Sequence, residues 1–254
     1  MELWHYVIIF PIGILVGIIN TLAGGGSLLT LPILIFLGLP VAVANGTNRL
    51  AIAAQNICAV AGFRKKGFAN FRLSLLMAGP SLAGAFIGAL IAVDIPDLLF
   101  KRILAIVILI VFGLILWSPA KRKYKKIIHS NYRDLESWKS LITLMVTFFF
   151  IGIYSGFIQA GVGIIIMAAL TTMNLFNLVE TNSHKVFVIG MNALFTVFVF
   201  AFYNKICWPV GLVLATGNGI GGLLGSYLAI SVGERFIRVV LIIVTLAMAI
   251  KLLT

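Results

Sequence analysis

The stretch 20-NTLAGGGSLLTLP-32 places three consecutive glycines and a short run of hydroxyl and amide side chains inside an otherwise apolar segment. Glycine destabilises a helix by about 1 kcal/mol relative to alanine. Gly24, Gly25 and Gly26 therefore predict a break in a helix. The role of such a break depends on whether water, protein or lipid surrounds it. The composition of the rest of the chain indicates which of these surrounds it.

The composition excludes a soluble domain. The chain has 254 residues, of which 61% are hydrophobic and 10% charged, and its mean hydropathy is +1.15. A soluble domain needs far more polar surface than this. At roughly 20 apolar residues per crossing, the chain has room for about eight to ten membrane segments. We predict an all-α polytopic membrane protein, whose apolar start, MELWHYVIIFPIG, is the first segment because it lacks the basic residues of a cleaved signal.

The apolar segments fall into two sets of five. They cover about 4–23, 27–39, 41–63, 71–93 and 98–117, then 141–160, 161–176, 178–203, 208–230 and 233–252. Segments 27–39 and 161–176 are short for a straight crossing of a hydrocarbon core of about 30 Å, so we expect them to be broken or re-entrant. The predicted organisation is a first membrane repeat at 1–117, a basic linker at 118–140 and a second membrane repeat at 141–254.

The two sets resemble each other at polar and glycine positions. Gly17 aligns with Gly152 and, at almost the same offset along the chain, Arg49 aligns with Lys185. If each half crosses an odd number of times, as five spans or as a re-entrant hairpin plus three spans, the repeats are inverted, as in many secondary transporters. Chance similarity between apolar sequences is the alternative.

The formal net charge of +12 comes from cations whose distribution along the chain indicates a membrane topology. The cations cluster in short connections, which is the distribution of the positive-inside rule, and they form no nucleic-acid surface. The loop RKKGFANFR at 64–72 and the linker at 118–140 should therefore be cytoplasmic, with both termini outside. Lys101 and Arg102 flank a turn that this topology places outside, and they argue against it.

The glycine break is a candidate anion site. A helix that starts at about Ser27 would direct free N–H groups, its positive dipole end and the Ser27 hydroxyl toward the break. Exposed backbone at membrane depth is tolerated where it lines a cavity or is buried in protein. The sequence SGFIQAGVG, with Gln159, Gly161 and Gly163, supplies the matching break in the second half. The alternative role of the glycines is close helix packing.

Polar side chains share one face of each following helix. Arg49 and Lys185 occupy matching positions on these faces, so we expect an anion between them. The alternatives are that both cations snorkel to the interface, that the amides only join helices, or that Glu180 pairs with Lys185. The full set of candidate substrate-binding residues is Asn20, Gly24, Gly25, Gly26, Ser27, Asn45, Thr47, Asn48, Arg49, Asn56, Gln159, Gly161, Gly163, Thr181, Ser183, His184, Lys185 and Asn192.

These motifs resemble a known family. The stretch NTLAGGGSLLTLPILIFLGLPVAVANGTNRLA, followed by RKKG and a diverged second copy, is similar to the sulfite exporter TauE/SafE family of membrane permeases over essentially the whole chain. The resemblance implies transport of a sulfur-containing anion, such as sulfite, a sulfonate or thiosulfate, across a prokaryotic cytoplasmic membrane. It assigns no individual residue.

We therefore expect a secondary transporter that moves a small sulfur-containing anion across the lipid bilayer by alternating access. The alternatives are a passive anion channel, a permease for another small organic anion, and an intramembrane enzyme with Ser27 or Ser183 beside His184. No GxxxxGK[ST] motif is present, so the energy would come from a gradient, with protons or sodium as candidate coupling ions, or from a partner. The sequence shows no metal-ligand spacing and no cofactor motif. Cys58 and Cys207 fit packing roles. The sequence does not indicate an oligomeric state.

The predicted topology can be tested by labelling. Cysteine tags in 64–70 and in 118–140 should be protected from an impermeant thiol reagent added to intact cells, whereas a tag at Asn204 should react. Permeabilised cells provide the control, because every tag should then be labelled. Labelling of 118–140 from outside would reverse the topology.

Overall fold

The fold is known from a computed structural model that describes residues 3–68, 71–117, 138–173, 176 and 178–229. These ranges contain nine α-helices and no strand. The helices are α1 (Leu3–Ala23), α2 (Ser27–Phe36), α3 (Val41–Lys65), α4 (Phe71–Asp94), α5 (Asp97–Trp117), α6 (Trp138–Phe157), α7 (Val162–Thr172), α8 (Leu178–Phe202) and α9 (Trp208–Leu228). Most of the predicted linker and the last apolar segment, 233–252, lie outside the described residues.

Four helices contain stretches that are long and apolar enough to cross a membrane: Tyr6–Ala23, Arg72–Asp94, Trp138–Phe157 and Val179–Phe202. Large apolar side chains point outward, with Phe150 63% and Phe198 72% exposed, whereas many amide and hydroxyl side chains are buried. Apolar groups outside and polar groups inside are expected of helices that lipid surrounds. The chain is an all-α polytopic membrane protein.

Two helices are too short to cross the hydrocarbon core. α2 has 10 residues and α7 has 11, which gives a length of roughly 15 to 17 Å for each. Both are apolar, and both directly follow a break in the chain. The short helices predicted at 27–39 and 161–176 are present.

The crossing of α3 and α8 shows how the two halves are related. Arg49 Nη1 donates to Thr196 Oγ1 at 3.0 Å. Further along α3, Asn56 packs on Gly190, where an added Cβ would lie 3.0 Å from the Asn56 Cβ. The residue number rises on α3 as it falls on α8, so the two helices run antiparallel. Inverted repeats require this relation between equivalent helices.

Two glycine-lined helix pairs join the halves: α1 with α9, and α4 with α6. A Cβ on Gly17 would lie 2.6 Å from the Asn218 carbonyl oxygen, and a Cβ on Gly152 would lie 2.1 Å from the Ser81 carbonyl oxygen. The sequence alignment of the halves pairs Gly17 with Gly152 and Ser81 with Asn218, so the two contacts are equivalent. Glycine allows such close approach between helices in a membrane. Equivalent contacts of this kind are what a duplication would produce, and the duplication stays a prediction.

Alanine substitutions along α4 test the close packing. A Cβ on Gly88 would lie 2.0 Å from the Ile153 carbonyl oxygen, whereas a Cβ on Gly79 meets nothing within 4 Å. Gly88→Ala should destabilise the protein by about 1 to 3 kcal/mol through overpacking. Gly79→Ala, the control in the same helix, should be neutral or stabilising by up to about 1 kcal/mol. Thermal unfolding in detergent measures both, and equal melting temperatures would remove the packing role.

Candidate functional site

The first helix break is built on a left-handed glycine. α1 ends at Ala23, and Gly24 follows with φ +78°, a conformation that residues other than glycine rarely adopt. The Gly24 amide donates to the Asn20 carbonyl at 2.8 Å, which closes the helix end. α2 then begins at Ser27. The glycine run therefore ends one helix and frees the chain to start the next.

The second break has the same construction with a different residue. α6 ends at Phe157, and Gln159 and Gly161 have φ +64° and +73°. The alignment of the halves pairs Gln159 with Gly24, so a left-handed residue occupies the matching position in each half. The Tyr154 hydroxyl donates to the Ala160 carbonyl and anchors this segment. A left-handed glutamine is strained, and such strain is concentrated at functional sites.

The two breaks touch each other in the protein interior. A Cβ on Gly163 would lie 2.4 Å from the Gly24 Cα, so the two backbones are in direct contact. The Ser27 hydroxyl donates to the Gln159 carbonyl at 3.2 Å and accepts from the Gly161 amide at 3.3 Å. The amino ends of α2 and α7 therefore meet at one buried place, where their dipoles favour negative charge.

Amide side chains tie this meeting point to the neighbouring helices. Asn48 Oδ1 accepts from the Thr30 hydroxyl at 2.7 Å, and Asn45 Nδ2 donates to the Phe157 carbonyl at 2.8 Å. Within the described residues, Asn48 Nδ2 and Gln159 Nε2 are buried and lack a partner. Buried amide donors are almost always hydrogen-bonded, so these two are candidates for binding a ligand.

Arg49 lies at the carboxyl end of α6. Its guanidinium donates to the Ser155, Gly156 and Phe157 carbonyls at 3.1, 2.5 and 3.3 Å. It also contacts Gln159 Oε1 and Thr196 Oγ1 at 3.0 Å, Asn45 Oδ1 at 3.4 Å, and the face of Phe200. The side chain is fully buried. Its position excludes snorkelling to the interface.

Lys185 lies at the carboxyl end of α1. Its Nζ donates to the Thr21 and Asn20 carbonyls at 2.8 and 3.3 Å and to Asn182 Oδ1 at 2.7 Å. Met167 Sδ is 3.9 Å away. Like Arg49, Lys185 is fully buried.

Several predicted residues lie away from the breaks. The Thr47 hydroxyl accepts from the Cys207 amide at 2.9 Å, and the Ser183 hydroxyl donates to the Phe68 carbonyl. His184 Nδ1 is 2.8 Å from the Ser74 hydroxyl, and its ring packs at a tilt of 52° against Phe176, with the centroids 4.6 Å apart. These three residues tie α3 and α8 to segments near the α8–α9 and α3–α4 connections, and their side chains do not contact the breaks in the described structure. His184 has neither Ser27 nor Ser183 as its hydroxyl partner.

Three others lie on α3 and α8 in different settings. Asn192 Nδ2 donates to Ser81 Oγ at 2.8 Å, and Asn56 Nδ2 donates to the Ile52 carbonyl at 2.7 Å. The Thr181 hydroxyl is buried and lacks a partner among the described residues. All eighteen predicted residues are buried, but they divide between the breaks, the cation sites and the helix contacts around them.

Sequence reasoning missed three contributors to the site and one further buried amide. Thr196 lies one helical turn after Asn192 and on the same helix face, so periodicity could have identified it. Asn182 contacts Lys185 from the preceding turn of the same helix, so it is also a helical neighbour. Ser155 contributes its carbonyl, and no sequence pattern marks a carbonyl. Asn218 is a buried amide on α9 with both side-chain atoms unpartnered in the described part of the chain.

Comparison with known proteins identifies the family. A family model described as Sulfite exporter TauE/SafE matches residues 9–252. The chain belongs to this family. It is a membrane transporter of the TauE/SafE type, as the resemblance of its glycine motif predicts.

Full-length relatives carry the same general description. A probable membrane transporter protein, ORF9, from a Sinorhizobium species is 31% identical over 248 residues, covering 96% of this chain and 91% of that protein. A probable membrane transporter protein of Haemophilus influenzae is 29% identical, covering 96% and 93%. The probable membrane transporter protein YfcA of Escherichia coli K12 is 26% identical, covering 97% and 88%. No solved structure gives a match of comparable significance.

Alanine substitutions at Gly24 and Gly38 distinguish the effect of the contact between the breaks from the effect of backbone strain. Gly24 and Gly38 both have left-handed φ angles, +78° and +88°, but a Cβ on Gly24 meets Gly163 backbone at 2.4 Å while one on Gly38 meets nothing within 4 Å. Alanine at either position adds about 1 to 2 kcal/mol of conformational strain. Gly24→Ala should also force the breaks apart and abolish transport by this TauE/SafE protein. Gly38→Ala should lower the melting temperature alone, and equal transport by both variants would contradict the contact role.

Proposed function

We propose that this protein is a secondary transporter that binds a small sulfur-containing anion where the amino ends of α2 and α7 meet. The proposal depends mainly on the complete burial of two cations. Arg49 and Lys185 have no exposed surface, and they contact backbone carbonyls, neutral side-chain oxygens, a sulfur atom and, for Arg49, an aromatic ring. A cation buried in a membrane interior marks a functional site.

Charge counting favours an anion. The carboxyl ends of α1 and α6, which hold the two cations, each carry the equivalent of roughly half a negative charge. Two cations and the positive amino ends of α2 and α7, set against the two carboxyl ends, leave about two positive charges at the centre of the protein. An anion would neutralise this charge wholly or in part, whereas a cationic substrate would add to it.

The donors around the meeting point fit an oxyanion. At the amino ends of α2 and α7 the amides of Leu28 and Ile164 donate to carbonyls within the breaks, so these ends contribute their positive dipoles. Asn48 Nδ2 and Gln159 Nε2 are unpartnered within the described residues. Several convergent neutral donors and two helix ends recognise oxyanions such as phosphate and sulfate. A sulfite or sulfonate group has three oxygens that could accept from them. The family description, sulfite exporter, agrees with this substrate class.

Alternating access would follow from the arrangement of the halves. Broken helices that meet between inverted repeats are the common design of secondary transporters. We place the protein in the cytoplasmic membrane with its linker inside and both termini outside, and we leave open whether protons or sodium ions drive transport. A passive channel, or a permease for another organic anion, is the competing function.

Counterflow separates a carrier from a channel. Proteoliposomes loaded with unlabelled sulfite should transiently accumulate radiolabelled sulfite from outside, and the same assay with a panel of sulfonates and thiosulfate should rank the substrates. Transient accumulation needs exchange through a common site, so a channel cannot produce it. Equilibration without overshoot would favour the channel. No flux of any member of the panel would reject the sulfur anions as substrates.

Reversing one donor tests the binding site. Asn48→Asp keeps the oxygen that accepts from Thr30 and replaces the unpartnered donor with negative charge. Affinity for sulfite should fall by at least about tenfold, because a donor becomes a repulsive acceptor. Asn204→Asp adds the same charge in the exposed α8–α9 connection and should leave affinity unchanged. Equal affinities, measured by calorimetry on correctly folded protein, would exclude Asn48 from the site.

A further inference from the structure

The two buried cations have equivalent partners. Arg49 on α3 donates to the Ser155 and Gly156 carbonyls at the end of α6. Lys185 on α8 donates to carbonyls at the end of α1, those of Asn20 and Thr21. The alignment of the halves pairs these carbonyls one for one, Asn20 with Ser155 and Thr21 with Gly156. The same contact is therefore made twice, once in each direction between the halves.

These contacts solve a problem that the breaks create. The last carbonyls of a helix have no partner within it, and at the centre of a membrane protein no bulk water is available to bind them. A cation is favoured at this end, because it donates hydrogen bonds and also faces the negative end of the dipole. In each half, however, the cation that caps the broken helix comes from the other half of the chain.

We propose that Arg49 and Lys185 are reciprocal positioning residues, each capping the broken helix of the opposite half and thereby fixing the amino end of the short helix that follows the break. Arg49 holds α6 and so places the start of α7; Lys185 holds α1 and so places the start of α2. Neither side chain contacts the anion. This role rests on the proposed function, because the helix ends that the cations position are the proposed anion site.

The two caps differ in strength. The two Nη atoms of Arg49, with four N–H groups between them, have six oxygen acceptors within hydrogen-bond distance, and the guanidinium lies over the Phe200 ring. Lys185 makes three hydrogen bonds to oxygen atoms and one sulfur contact. The planar guanidinium of Arg49 reaches three successive carbonyls, whereas the Lys185 ammonium reaches two. The carboxyl end of α6 is therefore held by more contacts than that of α1, so we expect the α1–α2 break to open more easily than the α6–α7 break.

Amide hydrogen exchange without substrate tests the caps. In protein reconstituted in nanodiscs, Lys185→Met should accelerate exchange in residues 20–24 by about tenfold or more and leave 155–159 unchanged. Arg49→Met should do the reverse. The affected segment is far from the substitution in sequence and belongs to the other half. Lys65→Met on α3 and Lys139→Met on α6, both at exposed cations, are the matched controls and should change neither break.

Charge-retaining variants keep the test decisive if a methionine variant does not fold. Lys185→Arg should preserve slow exchange at 20–24, since a guanidinium can replace the ammonium. Arg49→Lys should accelerate exchange at 155–159, since an ammonium reaches fewer carbonyls. Acceleration confined to the helix that carries the substitution, or equal in both breaks, would overturn the reciprocal caps, as would unchanged exchange in all variants that fold.

Binding of sulfite separates this inference from the proposed function. Lys185→Arg should bind sulfite within about threefold of the wild-type affinity if the cation only positions the helix. A loss of affinity greater than about tenfold with unchanged exchange at 20–24 would mean that the cation contacts the anion, which overturns the positioning role and retains the anion site. Failure of wild-type protein to bind sulfite would count against the proposed function, while the exchange pattern would still decide the caps.

Discussion

A helix that stops inside a membrane leaves polar backbone groups where water cannot reach them, and the centre of this protein is organised around that constraint. Two helices stop there, α1 and α6, and two start there, α2 and α7. The stopped ends need donors and receive them from Arg49 and Lys185. The starting ends offer donors, and the described structure leaves amide groups of Asn48 and Gln159 unpartnered beside them. The protein itself thus supplies donors for the carboxyl ends of the broken helices. Under our proposal, the substrate supplies acceptors at the amino ends of the short helices.

This division also accounts for the electrostatics of the interior. Burial of a full positive charge in a medium of low dielectric is strongly unfavourable unless polar groups surround it. Arg49 is surrounded by carbonyl, amide and hydroxyl oxygens and by the Phe200 ring, all of them neutral. Neutral groups therefore stabilise the Arg49 charge without cancelling it, and under our proposal its positive potential attracts the anion.

The sequence predicted the breaks and their equivalence, but not how the halves fit together. Three glycines mark the first break, and alignment on Gly17 and Gly152 pairs Arg49 with Lys185. The partners of the two cations could not be read, because carbonyl oxygens belong to every residue and only the tertiary packing selects among them. The left-handed Gln159 was also beyond prediction as such, since that conformation is expected of glycine.

The helix pairing has a consequence for biosynthesis. Gly17 of α1 packs on α9, near Asn218, rather than on a helix of its own half. About 200 residues separate these partners, so at roughly 5 to 20 residues per second the ribosome needs roughly 10 to 40 seconds to produce the second after the first. Throughout that interval the glycine face of α1 lies in the bilayer or against the insertion machinery without its native neighbour. The first half is thus inserted as an unfinished structure, and the emergence of α9 sets the earliest moment at which the transporter can close around its centre.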